Sequence, residues 1–385
     1  MPAAGRFQTV LLKRDGTAAA FGDNDSGQCN IPVLPEGVIY TEAAAGHYHT
    51  VLLKSDGTAA AFGDNNSGQC NIPALPEGVT YTQVAASGLR TVLLKSDGTA
   101  AAFGDNHLGQ CNIPVLPEGV RYTQAATGVL HTVLLESDGA VSAFGDNRVG
   151  QCNIPTLPEG VTYTQAAAGV THTVLLKSDG TAAAFGCNNF GQCDIPTLPE
   201  AVTYTQAATK GLHTVLLRSD GTAVAFGDNR SGQCNIPALP EGVTYTQAAT
   251  GSAHTVLLKS DGTVAAFGLN YSGQCNIPAL PGSGYTRSSD QMPRIILNIQ
   301  FGGEYAAFYT LSGEEVLRVQ VSALDTLNDL RLKCANGVAG TRGRYCAALP
   351  TGALLDELCA QTPAASLEPW LPRKRARVIH VAMAG

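Results

Sequence analysis

The chain has 385 residues and a formal net charge of −7, with 44% hydrophobic and only 14% charged residues. That length can bury a large core. The acidic balance disfavours a generic nucleic-acid surface, which needs basic side chains clustered on one face. The imbalance is uneven: residues 1–290 carry 14 Lys+Arg against 23 Asp+Glu, and the remainder has a small basic excess.

Met1-Pro2-Ala3-Ala4-Gly5-Arg6 leads directly into patterned sequence, without the charged and then apolar run of a secretory leader. No apolar stretch is long enough to cross a bilayer. The expectation is an intracellular chain, cytoplasmic or nuclear, that makes no membrane contact. The pattern that follows is a tandem array. Cys29, Cys70, Cys111, Cys152, Cys193, Cys234 and Cys275 recur every 41 residues with no insertion between them. A period near 40 points to a propeller or a solenoid.

Each unit reads as four short extended runs. In one copy these are Val79–Ala85 for the first run, and His49–Lys54, Thr58–Gly63 and Gln69–Ile72 for the second to fourth. Ser55-Asp56-Gly57 separates the second from the third as a tight-turn signal. Asp64-Asn65-Asn66-Ser67-Gly68 separates the third from the fourth. Pro73 to Gly78 then forms a proline-rich link, better suited to a connection than to a central strand. No run reaches the roughly 10–12 residues of a globular helix. The fold expected is all-β: a seven-bladed β-propeller of four-stranded blades over residues 1–290, with alanines letting the blades pack closely. Ala3-Ala4-Gly5 aligns with Ala44-Ala45-Gly46. The first copy therefore lacks an upstream strand, and Pro281–Thr286 at the end of the array is the expected replacement that closes the ring.

Repeated polar positions have structural readings. The seven cysteines would sit on seven different blades, too far apart to pair, as buried thiols. Cys187 lies six residues before Cys193, but a disulfide there is disfavoured in a reducing compartment. His49, His131, His172, His213 and His254 share one position, with Gln8 and Arg90 in the other two copies. The expectation is a hydrogen bond within each blade. Asp23-Asn24-Asp25-Ser26-Gly27 hints at a calcium loop, but the other copies lose the acid at Asp25, so a turn is the better reading. No zinc spacing, phosphate loop or nucleophile elbow is present. No cofactor is expected.

Two stretches differ between copies. The third connection carries Asp25-Ser26, Asn66-Ser67, His107-Leu108, Arg148-Val149, Asn189-Phe190, Arg230-Ser231 and Tyr271-Ser272. The first carries Arg6-Phe7, His47-Tyr48, Gly88-Leu89, Val129-Leu130, Val170-Thr171, Gly211-Leu212 and Ser252-Ala253. In an up-and-down blade these connections share one end. Arg6, Phe7, Asp25, His47, Tyr48, Asn66, Leu89, His107, Leu130, Arg148, Asn189, Phe190, Arg230 and Tyr271 are therefore candidate partner-binding residues on one rim. Aromatic and Arg side chains of this kind are enriched at binding hot spots.

The unit, His-Thr, an apolar run, Ser-Asp-Gly and Phe-Gly-Asp-Asn-x-x-Gly-Gln, resembles the regulator of chromosome condensation repeat. That resemblance implies a seven-bladed propeller over residues 3–286. It departs from the family where Phe62 and its equivalents replace the usual Trp, and where Cys-Asn follows Gly-Gln in place of Leu-Gly. The founding member is an exchange factor for a small nuclear GTPase and binds chromatin. Its long blade insertions have no counterpart here.

Residues 291–385 break the pattern. Pro293–Gln300 reads as a strand, and Thr310-Leu311-Ser312-Gly313 as a turn into a strand ending at Val321. Asp325–Lys333 reads as a capped helix. This order resembles the opening of a ubiquitin-like β-grasp domain over 306–337. Ala353–Cys359 reads as a short helix and Val378–Val381 as a last strand. The family's terminal di-glycine is absent, so conjugation is not expected. Arg373-Lys374-Arg375-Ala376-Arg377 reads as a solvated basic patch, with nuclear import as the alternative. Trp370 is the one tryptophan and lies outside the array, which excludes the tryptophan-based light sensing of a plant relative.

Three functions follow as expectations. The first is a monomeric, non-enzymatic scaffold for a protein partner. The second is an accessory or substrate-recognition component of a ubiquitin ligase pathway, since HECT-class ligases carry similar propellers. The third is guanine-nucleotide exchange on a small GTPase.

Overall fold

The computed structural model describes residues 2–278, 295–302, 305–309, 315–320 and 379–383. The chain divides into two compact units, Met1–Ser288 and Ser289–Gly385.

The first unit is a ring of seven antiparallel three-stranded sheets. They comprise β1 (Pro2–Ala4), β2 (Gln8–Leu12) and β3 (Ala18–Gly22); β4 (Tyr40–Ala45), β5 (His49–Lys54) and β6 (Ala59–Gly63); and β7 (Tyr81–Ser87), β8 (Arg90–Lys95) and β9 (Ala100–Gly104). Next come β10 (Tyr122–Thr127), β11 (His131–Glu136) and β12 (Val141–Gly145), then β13 (Tyr163–Ala168), β14 (His172–Lys177) and β15 (Ala182–Gly186). The last two are β16 (Tyr204–Thr209), β17 (His213–Arg218) and β18 (Ala223–Gly227), and β19 (Tyr245–Thr250), β20 (His254–Lys259) and β21 (Val264–Gly268). The middle strand of each sheet is buried on both faces. The first strand lines a central channel, and the third is only half-buried.

Three strands per unit, not four, is a correction, and side chains explain it. The Gln69–Ile72 run is a turn because its backbone is satisfied locally rather than by a ladder. Asn65 Oδ1 accepts the Cys70 N–H at 2.8 Å, and Gln69 Oε1 accepts the Ser67 N–H at 2.9 Å. Gln69 Nε2 donates to Asp64 Oδ2 at 2.8 Å. Tyr81 Oη then pins the following link by donating to the Pro73 carbonyl at 2.7 Å.

Gly63 shows why glycine ends each third strand. It sits at φ 110°, and a Cβ there would lie 2.4 Å from the Tyr48 carbonyl oxygen. In the Ser-Asp-Gly turn, Asp56 Oδ1 accepts from the Thr58 N–H and hydroxyl at 2.8 and 2.7 Å.

The expected gap in the first sheet is not found. The first copy has its own first strand, β1, paired with β2 through Pro2↔Leu11, Ala3↔Val10 and Ala4↔Thr9. Among the described residues the first and seventh sheets also pack directly on each other. Ala4 and Leu11 share an apolar cluster with Ala249, Val256 and Leu258 of the seventh sheet. The segment Pro281–Thr286 lies outside the described residues. Each of the other six junctions has an equivalent cluster, and burying each Val or Leu contributes roughly 1.5–3 kcal/mol.

The repeated histidines join neighbouring sheets, not strands within one blade as expected. His49 Nε2 lies 3.1 Å from Thr91 Oγ1 in the next sheet, and the last junction pairs His254 with Thr9 at 3.0 Å. The Thr91 hydroxyl gives its one proton to the Gln69 carbonyl at 2.8 Å. His49 Nε2–H must therefore be the donor to Thr91, which leaves Nδ1 as a bare acceptor. The junctions of His131, His172 and His213 repeat this arrangement, and Gln8 and Arg90 replace the histidine at two others. Gln8 Nε2 donates to the carbonyls of Gly46 and His49 at 3.2 and 3.3 Å. Arg90 donates to the carbonyls of Gly128, Val129 and His131 and to Thr132 Oγ1.

In the second unit, β22 (Ile295–Gly302), β23 (Tyr305–Tyr309), β24 (Glu315–Gln320) and β25 (Ile379–Met383) form an antiparallel sheet in the order β24-β23-β22-β25. The expected strands near 293–300, before Val321 and at 378–381 are present, and β23 is an addition. The helices read at 325–333 and 353–359 lie outside the described residues. Among the described residues there is no helix, and none long and apolar enough to cross a membrane.

Burial pushes His49, His131, His172 and His213 down to about 3 and His254 to about 4. A histidine released by unfolding titrates near 6.5. The unfolded state therefore binds protons first as pH falls, and stability should be lost progressively below pH 6.5, at about 1.4 kcal/mol per pH unit per histidine. The melting temperature should drop steeply between pH 7 and 5. Replacing all five histidines with Gln, the residue at position 8, should flatten that slope; an unchanged slope would contradict the buried neutral imidazoles.

Candidate functional site

The two variable connections do share one end of the ring. The residue opening each third connection donates its N–H to a carbonyl of the first connection, as Asp23 does to Phe7, Asp64 to Tyr48 and Asp146 to Leu130 at 2.8–2.9 Å. The first connections form an inner circle around the channel, and the third connections an outer one.

The inner connections are tight because most begin at glycine. A Cβ at Gly46 would lie 2.0 Å from His49 Cε1. Backbone bonds run from one inner connection to the next. Arg6 N–H donates to Gly46 O at 3.3 Å, His47 N–H to Gly88 O at 2.9 Å, and Ser252 N–H back to Gly5 O at 3.2 Å. Arg6 donates from Nη1 to the Tyr48 hydroxyl, and its guanidinium stands 4.9 Å from the Phe7 ring centre and 5.5 Å from that of Tyr48. His47 meets Tyr48 edge-on at 6.1 Å. Arg6, Phe7, His47 and Tyr48 are thus one cluster, half-buried, while Leu89 and Leu130 are half-buried on later inner connections.

The outer residues Asp25, Asn66, His107, Arg148, Asn189, Phe190, Arg230 and Tyr271 are exposed. Asp25 belongs to a turn. Asp23 Oδ1 accepts its N–H at 3.2 Å, and Asp23 Oδ2 accepts from Gln28 at 3.0 Å. Arg148 chelates Asp146 at 2.7 and 3.1 Å, and Arg230 chelates Asp228 at 2.8 and 3.1 Å. The hydrogen bonds from these arginines hold both carboxyl groups below their usual range. The two Arg side chains therefore carry less free charge than the sequence suggests. Arg230 also lies 4.9 Å from the Phe190 ring centre, a cation–π contact across neighbouring sheets.

Inside the inner circle, alanines and threonines of all seven first strands line a cavity of ≈ 190 Å³. One charged side chain enters it, Lys210, which sequence reasoning missed. Lys210 stands where five repeats have glycine, and that replacement was the available signal. Its ammonium donates to the carbonyls of Ala45 and, at 2.8 Å, Ala86 on other sheets. Burial pushes its amine down to about 7. Among the described residues no group of three or more His, Cys, Asp or Glu could hold a metal ion.

The ring of repeated sheets around a channel defines a β-propeller. The family model described as the Regulator of chromosome condensation (RCC1) repeat matches residues 41–69, 163–192, 204–233 and 245–274. Prp20p from Saccharomyces cerevisiae, a structure described with its binding properties to Gsp1p and histones, is similar at TM-score 0.57 and 17% identity, over 77% of this chain and 89% of that one. Yeast RCC1 (Prp20) bound to Kap60 gives 0.58 and 18%, over 77% and 87%. The CRINKLY WD40 ectodomain of the Arabidopsis thaliana receptor kinase ACR4 gives 0.53 and 17%, over 71% and 95%. Likeness at these identities shows the fold alone. Among curated proteins none matches the chain. Four of the repeats thus match the RCC1 repeat model, and the shared fold is that of a β-propeller.

The repeated thiols are half-buried and unpaired, as is Cys187. Cys29 Sγ donates to the Asp23 carbonyl at 3.2 Å, and Cys193 Sγ to the Cys187 carbonyl at 3.4 Å. Burial pushes Cys29, Cys70, Cys152, Cys193, Cys234 and Cys275 up to about 11. Since the thiolate is the nucleophile, these six should alkylate with iodoacetamide at pH 8 on the order of 100-fold more slowly in the native chain than in denaturant. Peptide mass spectrometry reads this directly, and fast native labelling would contradict it.

Proposed function

We propose that the ring is a non-enzymatic scaffold that holds a protein partner against its variable rim. The observation that carries this reading is an asymmetry on the outer connections. One repeat position is Leu108, Val149 and Phe190 in three consecutive sheets, 42%, 47% and 41% exposed, but Ser26, Ser67, Ser231 and Ser272 in the other four. A drifting surface loop has no reason to group its apolar side chains on neighbouring sheets. An exposed apolar arc is the pattern of an interaction site. Tyr271, 92% exposed, and the Arg230–Phe190 pair add residue types favoured at hot spots. Loops on a rigid frame are where binding residues concentrate.

The test uses the full-length chain as bait, wild type against Leu108→Ser/Val149→Ser/Phe190→Ser. Serine already occupies this position in four repeats, so the melting temperature should hold within about 2 °C. A protein recovered by the wild type should fall at least about tenfold with the triple variant. Equal recovery would defeat the reading. Ubiquitin ligases among the recovered proteins would favour the ligase-pathway role. That role's support here is the ubiquitin-like resemblance of residues 306–337 together with the antiparallel pairing of β23 with β24.

A second reading, nucleotide exchange on a small GTPase, is favoured by the fold shared with Prp20p, which is described with its binding to Gsp1p. Exchange would require faster nucleotide release from a GTPase panel on adding the full chain, and no acceleration would dispose of it.

A further inference from the structure

The inner connections, residues 5–7, 46–48, 87–89, 128–130, 169–171, 210–212 and 251–253, contain three basic residues and no acidic one, in a chain of net charge −7. Those three, Arg6, His47 and Lys210, come from the first, second and sixth repeats, yet the fold gathers them. Lys210 reaches across the channel to the carbonyls of Ala45 and Ala86, which end the inner strands of the second and third sheets. Ala45 is two residues from His47, and Arg6 donates to the neighbouring Tyr48. The charges of Lys210, Arg6 and Arg90 all bear on His47.

An ammonium has three N–H donors, and the carbonyls of Ala45 and Ala86 take two of them. Carbonyl dipoles solvate such a charge without neutralising it. A buried charge is ordinarily paired with its opposite, and no carboxylate acts on Lys210 to offset its burial. Arg90, whose charge also bears on His47, is a second buried cation whose hydrogen bonds go to carbonyls and a hydroxyl. The inner circle is therefore a convergent positive site, open toward the rim.

We propose that this channel mouth binds an anion, a single carboxylate or phosphoryl group, between the Lys210 ammonium and the Arg6 guanidinium, with the His47 ring as an N–H donor. The site lies inside the apolar arc and does not depend on it, so failure here would leave partner docking on the outer rim standing.

The probes are sulfate, which stands in for a phosphoryl group and does not titrate near neutrality, and propionate for a carboxylate. Each is titrated calorimetrically into the full-length chain at pH 6 and pH 8. One saturable site is expected, about tenfold tighter at pH 6, because the Lys210 amine near 7 is mostly protonated there and mostly neutral at pH 8. The other groups around it keep their charge state across that window. His47, His49 and His254 titrate near 4, 3 and 4, and a guanidinium stays cationic. Lys210→Met should abolish binding at both pH values. Lys210→Arg should retain it and lose the pH step, and Arg6→Gln should weaken it about fivefold or more. Preference for sulfate would indicate a phosphorylated ligand, and preference for propionate an acidic side chain. The absence of a saturable site, equal affinity at the two pH values, or unchanged binding by a folded Lys210→Met chain would each overturn the proposal.

Discussion

One buried relay holds the ring together: an imidazole N–H donated to a threonine hydroxyl of the next sheet, whose proton goes on to a glutamine carbonyl. At the junctions of His49, His131, His172 and His213 it binds three segments: the middle strand of one sheet, the middle strand of its neighbour, and the turn that links them. Apolar packing supplies most of the energy of such a junction, but it is not directional. Leu and Val side chains could slide by a residue; a histidine that must meet a hydroxyl at 3 Å cannot. The relay therefore fixes the register in which sheets meet, and the apolar clusters fill the space that this register leaves.

Two repeats replace the histidine, and both show what the relay demands. Gln8 and Arg90 have different shapes, yet each donates to the carbonyls of the following inner connection. The need is for a buried donor that reaches the next sheet, and His, Gln and Arg all meet it. Arg90 does so by burying a charge, which pushes its guanidinium down to about 10, with the nearby Asp105 only partly offsetting the burial. That expense is tolerable in one junction of seven. It also places a fixed positive charge near the channel mouth.

Much of this was legible in the sequence, and the failures have physical reasons. The 41-residue register gave the number of units, and the Ser-Asp-Gly and Pro-rich segments gave the strand limits to within about two residues. The run Gln69–Ile72 was misread because alternation and β-propensity resemble those of a strand. Only three-dimensional geometry shows Asn65 folding back to take the Cys70 N–H while Gln69 takes that of Ser67. The histidine bond was assigned within a blade because a repeat seen in isolation has no neighbour; residue 49 meets residue 91, not residue 50. The common end of the variable loops could be inferred, since antiparallel strands require it. The pairing of Arg148 and Arg230 with Asp146 and Asp228 could not, because those acids recur as plain turn residues in other copies.

A ring of near-identical repeats cannot, by its symmetry, favour one direction of approach over another. Whatever selects a ligand must lie in the positions that break the symmetry, and these fall into two sets. The apolar residues of the outer connections occupy three adjacent sheets and give the rim a side. The basic residues of the inner connections come from distant repeats but meet at the channel, because Lys210 is long enough to cross it. A glycine was the default at that position for a steric reason: a Cβ there presses on the following histidine. A lysine in its place accepts that crowding and leaves an ammonium among carbonyls. Because the relay keeps the sheets from shifting to relieve it, the cost stays with the channel that the lysine crosses.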